Sequence, residues 1–531
     1  MTSNKLNLKA SEGNLAPVYK FYFNAQYKEA LSTLDTLTKD FPNDPILFVL
    51  GGDCYVSLKQ YQLAISCYDE AIRLSPNSLN VYTKKIEALR LNDDLEKSLL
   101  VCNQTLKIFP NNSDLYFHQA IIFHELGEFM KAVDSYNKSI KLDPNNANAY
   151  CNKSDSLENL RRFDEAIISA KEAIKIKPDL SLAYFNLGVA AMQTRDFNLS
   201  INSFDKAIDL EPDLAKYKFA KATLFLLFGD FKNGWNLFES RWDMQNLFSP
   251  RIISKQPKWE GDKKSKLLVW GEQGLGDQVM YSALLPDLKK NCNSLISQVE
   301  PRLLSLLKRS FGEICTFYPD NEPLPVEFDA HIPMGSLCKY FRNNEKDFNS
   351  SRYGFLIDDE ERTLKIKNDI LSLIPKNNKI CGISWRSISP KTGIHKTLTL
   401  KKFIKMLNLE DYTFVSLQYG DTTNEIMEVK KELGIDIISY EKVDNFNDID
   451  GLVSLIKSCD TIVSVDNITC QLSGALGKEV HVILTYGSWW GWMVNRADSP
   501  WYDSVKVYRQ ELNDAWPNLF KKIKKNLKKL N

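Results

Sequence analysis

Residues 45–76 read PILFVLGGDCYVSLKQYQLAISCYDEAIRLSP, and the proline that closes them is one of six at a fixed interval: Pro42, Pro76, Pro110, Pro144, Pro178 and Pro212. Successive members lie 34 residues apart. Proline cannot continue a helix, so each one marks where a structural unit stops and the chain turns. Within the quoted unit Gly52, Tyr55, Ala64, Tyr68 and Ala71 hold small or aromatic positions. In later periods Ala64 becomes Ser98, Ala132, Ala166 and Ser200, and Gly52 becomes Ile86, Ala120, Ser154 and Gly188. Most of these are small, as required where paired helices cross closely. Tyr82, Tyr116, Tyr150 and Tyr184 repeat at the same interval as core rings between neighbouring helices. The pattern predicts a stack of helical hairpins. Ala30, Leu34 and Pro42 fit a divergent first unit from near Ser11, and Ala222, Gly234 and Phe238 a seventh, cut off by Trp242.

That period and pattern resemble tetratricopeptide repeats over residues 11–245. Such a stack buries its core between neighbours and leaves a concave face for a partner, which argues for recognition and not for chemistry.

The chain has 531 residues, enough for two or three folding units, and its 44% hydrophobic and 25% charged residues are those of a globular protein. A formal net charge of +1 gives no general electrostatic case for nucleic acid. No apolar signal core and no long apolar run is seen, so a cytoplasmic location without a transmembrane segment is expected. The ten cysteines occur singly, with no Cys-x-x-Cys pair, and read as reduced, buried small hydrophobes.

After Trp242 the period changes. Short apolar runs alternate with helical stretches, as in parallel sheets with crossover helices. Candidate strands are 266–270, 296–299, 314–317 and 330–333, then 380–385, 414–418, 435–439, 461–465, 480–485 and 505–508. Two series predict two Rossmann-like lobes after an α solenoid, with a ligand beyond the carboxyl ends of the strands. The expected domains are a solenoid over 1–245, an N-terminal lobe over 246–372 and a C-terminal lobe over 373–531.

The first strand runs into Gly271-Glu272-Gln273-Gly274-Leu275-Gly276-Asp277. Glycines let a backbone approach a ligand, and the helix N-terminus that follows favours anions. The stretch lacks the spacing of a dinucleotide fingerprint and the Gly-Lys-Ser/Thr ending of a P-loop, and a tight turn with Asp277 as helix cap also accounts for it. A second junction, Asp466-Asn467-Ile468-Thr469, follows the run 461–465 and either caps its helix or offers amides to a diphosphate.

Trp270 to Asp277, Ser464-Val465-Asp466 with Ala475-Leu476-Gly477-Lys478, and Asp498-Ser499-Pro500-Trp501-Tyr502 together resemble bacterial tetratricopeptide-repeat glycosyltransferases. These are similar to heptosyltransferases and, more distantly, to protein O-linked N-acetylglucosamine transferases. The resemblance implies a two-lobed GT-B fold and metal-independent transfer of a sugar from a nucleotide diphosphate, with no further cofactor. It implies that Asp277 acts as general base and that Lys396 meets the departing diphosphate. Gly274, Gly276, Arg386, Ser387, Gln418, Asp466 and Asn467 are implied to hold the donor, and the concave face of the repeats a protein or glycan acceptor. The family pattern carries a histidine where this chain has Gln471 and an arginine where it has Gly491, so the alternative expectation is an interaction scaffold with a degenerate transferase domain.

Remaining features read as structure. Asp448-Ile449-Asp450 has the spelling of a metal-binding Asp-x-Asp but opens a helix, which it caps; His118, His124 and His481 are structural; His331, at the end of a first-lobe strand, is either structural or faces the cleft. Residues 516–530 form an amphipathic basic helix that either contacts an acidic membrane surface or packs back across the first lobe.

Overall fold

The computed structural model describes residues 9–244, 254–351, 353–387, 397–407, 409–487, 489–511 and 516–528. It divides into two compact units, Met1–Pro212 and Asp213–Asn531.

Among the described residues, six helical hairpins build the first unit, from Glu12–Phe23 with Tyr27–Asp40 to Ser181–Gln193 with Phe197–Leu210. The ladder prolines fall between hairpins, as Pro76 does between the helices Tyr61–Leu74 and Leu79–Leu91. Size complementarity sets the helix spacing. A Cβ on Gly52 would lie 2.4 Å from the Tyr68 ring, and one on Gly188 2.6 Å from the Phe204 ring. One period on from Gly52 and Tyr68, Ile86 shares a core cluster with the small Cys102, and a further period on Ala120 packs with Tyr136. As one partner grows the other shrinks, which keeps the pair at close-packed density. Where serine replaces alanine, its hydroxyl finds a backbone acceptor: Ser98 Oγ donates to Ile86 O and Ser200 Oγ to Gly188 O, both at 2.7 Å. Each hairpin turn carries one left-handed residue, again at the repeat period: Ala25, Lys59, Asp93, Gly127, Arg161 and Arg195.

The second unit opens with a seventh helix pair, Ala215–Phe228 and Phe231–Phe238, joined by left-handed Gly229 and followed by a 3-10 turn over Glu239–Asp243. Its first sheet comprises β1 (Lys264–Trp270), β2 (Cys292–Val299), β3 (Thr316–Pro319) and β4 (Ala330–Pro333), in the order β3-β2-β1-β4. The second holds β5 (Lys379–Ser384), β6 (Tyr412–Ser416), β7 (Ile437–Ile438), β8 (Thr461–Val465), β9 (Val480–Leu484) and β10 (Val505–Arg509), in the order β10-β9-β8-β5-β6-β7. Every pairing of these strands is parallel. All ten runs expected from the sequence are strands; the main differences are β2, which begins earlier, and β7, cut to two residues. The architecture is a tetratricopeptide-repeat solenoid followed by two parallel-sheet α/β lobes.

The seventh pair docks on the α/β region. Trp235 Nε1 donates to Arg342 O at 2.8 Å, its ring meets Trp490 edge-on at 5.2 Å, and Val494 N donates to Leu227 O at 3.0 Å. The helix Trp516–Lys528 corrects the expectation that it crosses the first lobe. Leu519, Phe520, Ile523 and Leu527 are buried in the core of the second lobe, Phe520 against Phe403, and Asn526 Nδ2 donates to Tyr508 Oη at 2.8 Å. Only residues 510–515 separate it from β10, so it covers the sheet it has just left. Lys521, Lys522 and Lys525 are exposed. No helix among the described residues is long and apolar enough to cross a membrane. None of the ten cysteines is in a disulfide, and eight are buried.

Candidate functional site

β1 and β8 each end in a loop that opens a helix, Leu275–Ser282 and Ile468–Ala475 respectively, and these two helices pack against each other. The contact is close because Gly276 has no side chain: a Cβ there would lie 3.2 Å from Gln471 Cγ. The two junctions singled out in the sequence therefore meet.

At the first junction the loop is held from beneath. Gly271 N donates to Gln298 O at 2.7 Å and extends the β1–β2 ladder by one bond. The Gln278 carboxamide lies over Gly271, where a Cβ would come within 2.5 Å of Gln278 Oε1, and that oxygen accepts from Glu300 N at 3.0 Å. Gln273 takes a left-handed conformation, φ 63°. Asp277 is half-buried, and its Oδ2 accepts from Gly274 N at 3.1 Å, so it does cap its helix. Gly274 itself is exposed.

Glu272 was not singled out in the sequence. It is fully buried and forms a two-pronged ion pair with the equally buried Arg241 of the 3-10 turn, at 2.7 and 2.9 Å. Glu272 Oε1 also accepts from Gly335 N at 2.7 Å, and Arg241 donates to Ser336 Oγ at 2.9 Å. Glu239 joins through Arg241 at 2.8 Å and through Lys258 at 2.5 Å. Burial pushes the Glu239 carboxyl up, but Arg241, Lys258 and the Ser336 hydroxyl outweigh it and bring its pKa down to about 2. Nothing local in the sequence links positions 241 and 272; only the fold does.

The second junction is held by carboxamides. Asn467 Oδ1 accepts from Thr469 N at 3.0 Å and from Ser464 Oγ at 3.1 Å, and its Nδ2 donates to Ser384 Oγ at 2.7 Å and Arg386 O at 3.1 Å. It thus caps its helix and ties β8 to the exit of β5. Gln418, buried after β6, accepts at one oxygen from Trp385 N and Arg386 N, both 3.0 Å, and from Ser384 Oγ at 3.1 Å. Asp466 Oδ1 accepts from Trp492 Nε1 at 2.8 Å. The Arg386 guanidinium donates to Asp421 O at 2.8 Å and pairs with Glu425 at 3.4 Å; Ser387 N donates to Thr397 Oγ1 at 3.3 Å. Arg386, Ser387, Gln418, Asp466 and Asn467 are thus gathered at the carboxyl ends of β5, β6 and β8. Lys396, with Lys391 and His395, lies outside the described residues.

At the two departures from the family pattern, Gln471 is buried and its Oε1 accepts from Tyr502 Oη at 2.8 Å. The Trp489 ring occupies the space beside Gly491, where a Cβ would come within 2.0 Å of it. Asp448 and Asp450 are both committed. Asp448 accepts from Gly451 N at 2.8 Å as a helix cap and pairs with Arg362; Asp450 pairs with Arg309. No group of three or more His, Cys, Asp or Glu fit to hold a metal occurs among the described residues. His481 Nδ1 lies 2.8 Å from Tyr508 Oη, and His124 Nδ1 2.9 Å from Ser156 Oγ. His331 accepts from Trp270 Nε1 at 3.2 Å if its Nδ1 is unprotonated, and burial with the Lys258 charge lowers its pKa.

The family models that match this chain all lie in its first half. Models described as tetratricopeptide repeat match residues 45–78, 147–180 and 182–214, and 101–134; one described as TPR repeat matches 120–157. Protein FlbA of Caulobacter vibrioides is 28% identical over 304 residues, 53% of this chain and 50% of that protein, so the chain spans about half the length of this curated relative. Among solved structures, MamA protein is 20% identical, with 33% of this chain and 94% of that chain covered at a TM-score of 0.29. A tetratricopeptide repeat protein from Parabacteroides merdae is 14% identical, with 44% and 93% covered at a TM-score of 0.38.

Proposed function

We propose that this chain is a cytoplasmic glycosyltransferase that moves a sugar from a nucleotide diphosphate to an acceptor hydroxyl, with the repeats recruiting a protein or glycan acceptor. The observation that carries this reading is the apposition of the two junctions, Gly276 against Gln471, at the carboxyl ends of two parallel sheets. Ligands of open α/β sheets bind in just such crevices.

In this reading the acceptor oxygen attacks the anomeric carbon of the donor while the bond from that carbon to the diphosphate oxygen breaks. Asp277 takes the acceptor proton as the new bond forms. The electron pair of the breaking bond stays on the diphosphate, whose growing charge Lys396 stabilises without a metal. Gly274 and Gly276 let the donor approach the first loop, and the backbone around Arg386, Ser387, Asp466 and Asn467 binds phosphate and nucleoside. Gln418 serves by bracing that loop, since its acceptor oxygen already takes three donors.

Calorimetric titration of the full chain with UDP, GDP and ADP sugars tests the reading, and a folded sample that binds none of them overturns it. Asp277→Asn abolishes turnover if Asp277 is the base. A charge-assisted hydrogen bond contributes roughly 1.5–3 kcal/mol, so Lys396→Ala slows transfer about tenfold to a hundredfold. A scaffold with a degenerate transferase domain is the second reading, favoured by the Trp489 ring beside Gly491 and by the Tyr502 bond to Gln471. Nucleotide binding without sugar transfer or hydrolysis, together with a stable protein partner, is its signature.

A further inference from the structure

Beside the first junction lies a cavity of about 350 Å³ that the nucleotide reading does not use. One wall comes from the 3-10 turn, with Glu239 and Trp242; another from the end of β1, with Trp270; a third from His331 of β4 and the neighbouring Lys258. These walls are built, not incidental. The Trp242 and Trp270 rings lie 5.3 Å apart, and Arg241 stacks on Trp242 at 4.6 Å. Lys258 bridges to His331 alongside β4, with Trp259 N donating to His331 O at 2.8 Å. Trp270 is the residue immediately before Gly271, so the cavity opens at the same end of the sheet as the glycine-rich loop.

We propose that this cavity binds a single pyranose ring, which is the acceptor sugar if the transferase reading above holds. Three features select that chemistry. The volume is near the lower bound of small-molecule sites, roughly 300 Å³, so it suits one ring and not an extended chain. Indole faces attract the weakly positive C–H face of a sugar, while carboxylate, imidazole and ammonium groups at the rim match its hydroxyl edge. The charge balance disfavours a diphosphate: Lys258 is already paired with Glu239 at 2.5 Å, and Asp243 adds a second carboxylate to the lining. Burial and Lys258 lower the His331 pKa and so disfavour its charged form.

The test uses the full chain without nucleotide. Tryptophan fluorescence is titrated with the methyl glycosides of glucose, galactose, mannose and N-acetylglucosamine. Saturable binding of at least one is expected, weakened about tenfold or more by Trp242→Ala and by His331→Gln, as for an anchor in a small site. The proposal is overturned if none of the four binds, or if folded His331→Gln and Trp242→Ala proteins bind as tightly as the unmodified chain. Should Trp242→Ala not fold, His331→Gln decides alone. A chain that binds a glycoside through this cavity but turns over no nucleotide sugar keeps the pocket and loses the transferase. One that turns over nucleotide sugar while neither variant alters glycoside binding keeps the transferase and loses the pocket.

Discussion

The two junctions that meet at Gly276 and Gln471 occupy equivalent places in their lobes, yet they are secured by different physics. The first relies on the missing side chain at Gly271, on a left-handed Gln273 and on a buried ion pair, Glu272 with Arg241, reaching a turn that precedes the lobe. The second relies on two carboxamides, Asn467 and Gln418, whose partners all lie within its own sheet ends. A buried ion pair adds little net stability over a well-packed apolar pair, but breaking it leaves an uncompensated charge. Neutral hydrogen bonds contribute modestly each and are indifferent to pH. The first junction is therefore brittle and tied to distant sequence, the second graded and self-contained.

The largest expected effect is Glu272→Ala, which leaves the buried Arg241 with Glu239 as its remaining counter-charge and costs about 3–5 kcal/mol. All ten tryptophans follow residue 234, so the urea transition followed by their fluorescence reports the second unit alone. Replacing the pair together, Glu272→Leu with Arg241→Met, recovers most of that loss; failure to recover would show that the charges are not the source of the brittleness. Next comes Gly271→Ala, whose methyl displaces the Gln278 carboxamide and costs about 1–3 kcal/mol by overpacking. The same fluorescence transition measures it. Asn467→Ala removes a helix cap and two ties to the exit of β5, for about 1–2 kcal/mol. If it proves as damaging as Glu272→Ala, the contrast between the junctions collapses.

The last effect is one of pH and shows only in acid. Glu239 has a folded pKa of about 2 against an ordinary 4.5, so the folded state binds fewer protons in that window. Its contribution is complete above about pH 4.5 and drains away as the pH falls through about 2. Urea midpoints measured across that range should fall less steeply in Glu239→Gln than in the unmodified chain.

Much of this architecture was legible because it is periodic. The proline ladder placed the hairpins, and short apolar runs placed all ten strands. The left-handed turn residues also recur at the repeat period, but as Ala, Lys, Asp, Gly and Arg, so residue type carried no hint of a shared conformation. For the candidate site, the motifs identified which loops converge but not what their side chains do. Gln418, expected to touch a donor, braces the β5 exit through three accepted bonds. Glu272 sits inside the most conspicuous motif and serves the core, because its partner is 31 residues earlier in a turn that carries no motif. The apolar face of the helix Trp516–Lys528 was visible, but the sheet it covers depends on the short path from β10.

The Arg241–Glu272 pair also bears on how this protein can be cut. A fragment that starts after Asp243 retains the buried Glu272 without the Arg241 it pairs with, and loses the Trp235 anchor on Arg342 and Trp490 as well. Such a fragment will misfold for reasons unrelated to its chemistry. One that begins near Asp213, ahead of the seventh helix pair, keeps both contacts and is the smallest piece on which activity can fairly be sought.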